Sequence, residues 1–126
     1  AGLAAAAALS GRGLRVIVAD ENARSGGSLG YAHAGEPAAQ TFLAESAAAL
    51  AGVELWTGAT AVGLYSDLEC PIVRADRLSA VTARAIIIAT GVLEQPAVFH
   101  NNDLPGVMTT GAAQRLVQEQ RPDEDR

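Results

Sequence analysis

Two uninterrupted runs of β-branched and apolar residues constrain this chain more than any other feature. Residues 14–19 (LRVIVA) end at the acidic pair Asp20 and Glu21, and residues 85–89 (AIIIA) end at Thr90 and Gly91. A strand with one wet face alternates apolar and polar residues, because successive side chains point to opposite faces. Neither run alternates, so both read as strands covered on both sides, the condition of a parallel sheet packed between helices.

The intervening pattern agrees. Residues 2–9 are dense in alanine, the strongest helix former, with Gly11 and Gly13 as stop and turn. A loop containing Gly26, Gly27, Gly30 and Gly35 leads to Pro37, suited to a first helical position. From there Phe42, Leu43 and Leu50 continue an amphipathic helix closed by Gly52. A strand is expected at residues 53–56. Short apolar pieces at 61–65, 72–74 and 78–83, divided by Ser66, Asp67, Pro71 and Asp76, read as a small antiparallel meander inserted in the sheet. A polar loop then carries Pro96, Asn101, Asn102, Asp103 and Pro105 to a last helix near residues 107–118. The expected fold class is therefore α/β, a Rossmann-like domain over residues 1–120 followed by a charged tail at 121–126. There is no internal repeat and no dividing linker.

Composition narrows the function. The 126 residues allow one domain and leave no room for a second. Net charge is -5, and all nine basic residues are arginines without a cluster, which argues against nucleic acid as a partner. Cys70 stands alone and His33 and His100 are isolated, so neither a disulfide nor a metal-ligand spacing is present. A reducing cytoplasm is the expected compartment. No apolar run approaches the roughly 18 to 20 residues that span a bilayer, so no membrane is expected.

Three features fall where a parallel sheet binds a dinucleotide, at the carboxyl ends of its strands. Gly2 opens the first helix about 20 residues before an acidic strand end, the offset from the third glycine of G-x-G-x-x-G to the carboxylate that holds a ribose. A glycine there lets helix and strand pack closely, and the exposed N–H groups of the helix start attract pyrophosphate. Asp20 and Glu21 supply the carboxylate. Glu21 is the better choice of the two, from its spacing to the Gly26–Gly27 doublet, and solvated acid at a strand end is the plain alternative. The run from Ile86 to Gly91 (IIIATG) ends a strand on a residue with no side chain, where the backbone can turn sharply or approach a ligand.

The strings AGLAAAAAL, VIVADENARSGGSL, IIIATGVLEQPAVFHNNDLPGVM and GAAQRL resemble the FAD/NAD(P)-binding region of two-dinucleotide-binding-domain oxidoreductases. The resemblance is greatest to the alpha subunit of heterotetrameric sarcosine oxidase and related amine and amino-acid dehydrogenase subunits. It implies that Ala1 and Gly2 end the phosphate loop, that Glu21 meets the adenosine ribose, and that Thr90 and Gly91 lie near the bound dinucleotide. The implied cofactor is FAD or NAD. The implied partners are a small amine or amino-acid substrate and other subunits of a hetero-oligomer. Against that pattern the first strand and the first two loop glycines are absent, so the chain by itself is expected to be poorly stable and to bind dinucleotide weakly or not at all. The catalytic residues remain unknown.

Other residues have plainer readings. Cys70, in a turn beside Pro71, lacks an electropositive partner that would make it reactive. His100 is a better acid–base candidate than His33, though no partner base is apparent. Asn101, Asn102 and Asp103 fit turn and capping chemistry. Trp56 and the Phe42, Leu43 and Leu50 stripe fit core. The rival function is a noncatalytic NAD-binding module serving assembly of a larger complex. A non-redox enzyme on the same fold is disfavoured by the glycine doublet and the ATG exit.

Overall fold

The computed structural model describes residues 1–31 and 36–120. His33, Gly35 and the charged tail at 121–126 lie outside them. The first expected unit is present: helix α1 (Gly2–Leu9) returns through Gly11 and Gly13, at φ 73° and 71°, to strand β1 (Val16–Asp20). Helix α2 (Pro37–Ala49) starts with Pro37 in its first turn and leads through Gly52, φ 82°, to strand β2 (Val53–Thr57). Both positive φ turns use glycine because an L side chain is strained there.

β1 and β2 pair in parallel, Val16 opposite Val53 through Asp20 opposite Thr57. At the far end of this ladder the Arg15 Nε donates to Glu54 Oε1 at 2.6 Å. Both side chains are exposed, so the pair adds little to stability. The hydrogen bond to Glu54 raises the Arg15 pKa, and the same bond lowers that of Glu54. α1 and α2 pack on each other, and the Ser10 hydroxyl donates to Ala51 O at 2.8 Å, tying the end of α1 to the turn before β2.

The meander forms a separate antiparallel sheet of β3 (Ala59–Ala61), β4 (Glu69–Arg74) and β5 (Arg77–Thr82), in the order β3-β4-β5. Its strands differ from the sequence reading. β3 ends at Ala61 instead of continuing through Tyr65, and Cys70 and Pro71 lie inside β4 instead of in a turn. Pro71 explains the first difference. Its carbonyl accepts from Val62 N at 3.0 Å, but proline has no N–H to return the second bond of that pair, so the ladder stops.

Residues 85–89 form no strand. β1 pairs with β2 alone, and a run of apolar backbone needs a hydrogen-bonded neighbour to become a strand. The last helix, α3 (Thr110–Glu119), begins three residues later than expected, at a Thr109 cap whose hydroxyl accepts from Ala112 N. The fold is thus mixed α/β with a two-stranded parallel sheet and a three-stranded antiparallel one.

The buried apolar residues among those described are Ala6, Ala39, Ala59 and Ile72. Phe42, expected in the core, is exposed, and Trp56 is half-buried with Arg74 stacked 5.3 Å from its ring centroid. A compact monomer of this mass exposes about 6,300 Å² by surface-to-mass scaling. This chain exposes 9659 Å².

Candidate functional site

The connection between α1 and β1 is only six residues, so the end of α1 lies near the start of β1. Eight helical residues rise about 12 Å and five strand residues about 16 Å. Packed against each other, the two elements therefore bring Gly2 toward the Asp20 end of β1. α1 has Ala1 as its N-cap with no side-chain hydrogen bond, and no acidic residue in its first turn. Its leading N–H groups are left with partial positive charge and no side-chain acceptor, the electrostatics that favour an anion.

The second wall comes from residues after the apolar run at 85–89. A Cβ built on Gly2 would stand 3.4 Å from the Ala89 Cβ, so the IIIATG segment passes against the opening of α1. Gly91 follows two residues later at φ 75°, in the left-handed region that glycine adopts without strain, with open space where a Cβ would be. Thr90 and Gly91 are both exposed.

The third wall is the turn after β1. Asp20 is half-buried and its Oδ1 accepts twice from Asn22, from the backbone N at 3.0 Å and from Nδ2 at 2.9 Å. Asn22 O in turn accepts from Gly58 N at 3.0 Å, just past β2. Glu21 is exposed and makes no hydrogen bond or ion pair among the described residues. The glycine doublet splits in role. Gly26 sits at φ 120°, a conformation that favours glycine, and a Cβ there would meet the end of the Leu43 side chain at 2.7 Å, whereas Gly27, φ 59°, faces open space.

Behind these walls a cleft of about 470 Å³ runs between α1, α2 and β2. It is lined by Leu3, Ser25, Leu43, Leu50 and Leu55 among others. That lining is a packing seam between helices and sheet, with too few polar groups to orient a polar ligand.

Of the residues marked by sequence, Gly2 and the segment leading into Thr90 and Gly91 are in contact, and Asp20 and Glu21 diverge in environment. His100 is exposed in a turn. Asn101 adopts φ 68° and Asn102 Nδ2 donates to Ala97 O at 3.1 Å, so these residues shape their own loop and do not cap α3. Sequence reasoning missed Asn22, whose Asp-x-Asn spacing was a readable turn signal. It also missed Glu94, whose Oε2 accepts from Gly111 N at 2.8 Å across 17 residues with no local signal. Among the described residues no group of three or more His, Cys, Asp or Glu has metal-site geometry, and no helix is long and apolar enough to cross a membrane.

Comparison with known proteins supplies the relationship that geometry alone does not. The chain is 37% identical to the alpha subunit of a sarcosine oxidase from Corynebacterium sp. (strain P-1), over 93% of this chain and 14% of that protein. The relatives are oxidase subunits. The chain is also 32% identical to an opine oxidase subunit of Agrobacterium tumefaciens (strain Ach5), over 90% of this chain and 26% of that protein. To the alpha subunit of a sarcosine oxidase from Rhizobium meliloti (strain 1021) it is 33% identical, over 88% of this chain and 13% of that protein. Residues 1–126 thus span about one-seventh to one-quarter of the length of these oxidase relatives. No protein-family model and no solved structure matches the chain.

Proposed function

We propose that residues 1–126 are the dinucleotide-binding portion of a FAD- or NAD-dependent oxidoreductase acting on a small amine or amino acid, working as part of a hetero-oligomer. The observation that carries this reading is the 32–37% identity to sarcosine and opine oxidase subunits over about nine-tenths of the chain. In this reading the parallel β1–β2 unit with α1 and α2 is part of a Rossmann-like domain.

The residues fit such a cofactor. The uncapped start of α1 at Ala1 and Gly2 would hold the pyrophosphate, Glu21 the adenosine ribose, and the side-chain-free backbone at Gly27 and Gly91 would allow close approach. When bound, the cofactor supplies two-electron redox chemistry, which the protein serves by position and electrostatics. The residues of this chain bind and orient; no nucleophile with an adjacent base occurs among the described residues, so substrate chemistry is assigned to other parts of the assembly.

The test is made on the intact subunit. Glu21→Ala should weaken dinucleotide binding at least tenfold, since a hydrogen bond to a charged group contributes about 1.5–3 kcal/mol. Unchanged binding would remove Glu21 from the site. Bound NAD with no turnover of any amine substrate would favour instead a noncatalytic module that serves assembly.

A further inference from the structure

The turn after β1 contains two adjacent carboxylates, and among the described residues only one of them is engaged by the protein. A carboxylate oxygen offers two lone pairs, and both on Asp20 Oδ1 are engaged by Asn22, one by its backbone N–H and one by its side-chain amide. Asn22 extends the connection, because its carbonyl accepts from Gly58 N just beyond β2. Asp20 therefore joins the end of β1 to the mouth of β2 through one intermediary. Glu21 lies between Asp20 and Asn22 in sequence, exposed and without a hydrogen-bond partner among the described residues. Its backbone is held on both sides by this bridge while its side chain stays open.

We infer that Asp20 is a positioning residue for ribose recognition: by gripping Asn22 through Oδ1 it fixes the turn from which Glu21 reaches the adenosine ribose. The inference rests on the dinucleotide reading above. Its chemical content is that Asp20 is needed as a hydrogen-bond acceptor and not as a charge. Asparagine at position 20 keeps an Oδ1 able to accept both bonds, whereas alanine removes it.

The intact subunit, freed of bound cofactor, is titrated with ADP, the half that FAD and NAD share, and with 2′-deoxy-ADP, which lacks the ribose hydroxyl that an acid at this position binds. A thermal melt of each variant places affinity on a per-folded-molecule basis. Asp20→Ala should weaken ADP on the order of tenfold and bring ADP and 2′-deoxy-ADP close to equal affinity. Asn22→Ala should do the same, and the double variant should be no worse than either single one, because the two residues act as one unit. Asp20→Asn should restore both affinity and discrimination. An Asp20→Asn variant as weak as Asp20→Ala, an additive double variant, or full discrimination in Asp20→Ala would overturn the inference. Absence of ADP binding by the wild type overturns the dinucleotide reading and this inference with it, whereas wild-type ADP binding with no effect of Glu21→Ala removes Glu21 from the site and overturns this inference alone.

Discussion

Ala75 is the first of two central residues in the β4–β5 hairpin, with Arg74 opposite Arg77, and it adopts φ 52°. The left-handed conformation costs an L-residue about 1–2 kcal/mol that glycine does not incur, partly offset by the greater chain entropy of glycine. Ala75→Gly should therefore stabilise the hairpin by about 1 kcal/mol and slow hydrogen exchange at the Ile72 and Ser79 amides about fivefold. Faster exchange would mean the turn is held by its surroundings and not by its own backbone. Glu54 offers a second test at this scale. Its pKa is lowered by the hydrogen bond to Arg15, so its contribution is present above the ordinary carboxylate pKa and is lost as pH falls through the depressed value. The melting difference between wild type and Glu54→Gln should be small at neutral pH, vanish in acid and shrink in high salt; a difference that grows in acid would contradict the assignment.

At the scale of elements, among the described residues α3 meets the rest of the chain through a contact in its first turn and one at its middle. Glu94 accepts from Gly111 N in its first turn, and Arg115 lies 4.8 Å from the Tyr31 ring centroid. A Cβ on Gly111 would come within 2.7 Å of Glu94 Oε2, the end of a flexible side chain that can move aside. Glu94→Ala should loosen the start of α3 by about 1 kcal/mol, seen as faster exchange of its first protected amides. Equal exchange in wild type and Glu94→Ala would show that the Thr109 cap alone suffices. The helix was legible in the sequence, but its start was not. Asn101, Asn102 and Asp103 had the right side chains for a cap, yet the chain turns at Asn101 and reaches its helix only after Thr109. The meander was likewise readable as three strands, while the end of β3 followed from the missing N–H of Pro71.

For the whole molecule, the surface is about half again that of a compact monomer of equal mass. Val92, Leu93 and Val98 are 92%, 95% and 94% exposed, and Ile87 and Ile88 in the run at 85–89 are mostly exposed as well. A 126-residue polypeptide of this sequence, made alone, should unfold without a sharp cooperative transition and bind FAD or NAD only weakly. Tight stoichiometric binding in a titration, or a sharp calorimetric peak, would refute this. The dependence on apolar neighbours also explains why residues 85–89, apolar enough to be a buried strand, are not one here. Covering them requires a partner for their backbone and their side chains together.

What the amino-acid order determined by itself is local. Alanine density and glycine stops made α1, Pro37 opened α2, β-branched residues made β1, and the glycines at 11, 13 and 52 set their turns, each through the conformational preferences of a few adjacent residues. Only tertiary structure decided which glycine of the 26–27 pair faces Leu43, that Ala89 lies against Gly2, and that Asp20 is engaged by Asn22 while Glu21 is left open. Those outcomes depend on distances between residues remote in sequence, or on which of two chemically equal side chains finds a partner, and the order of residues carries neither.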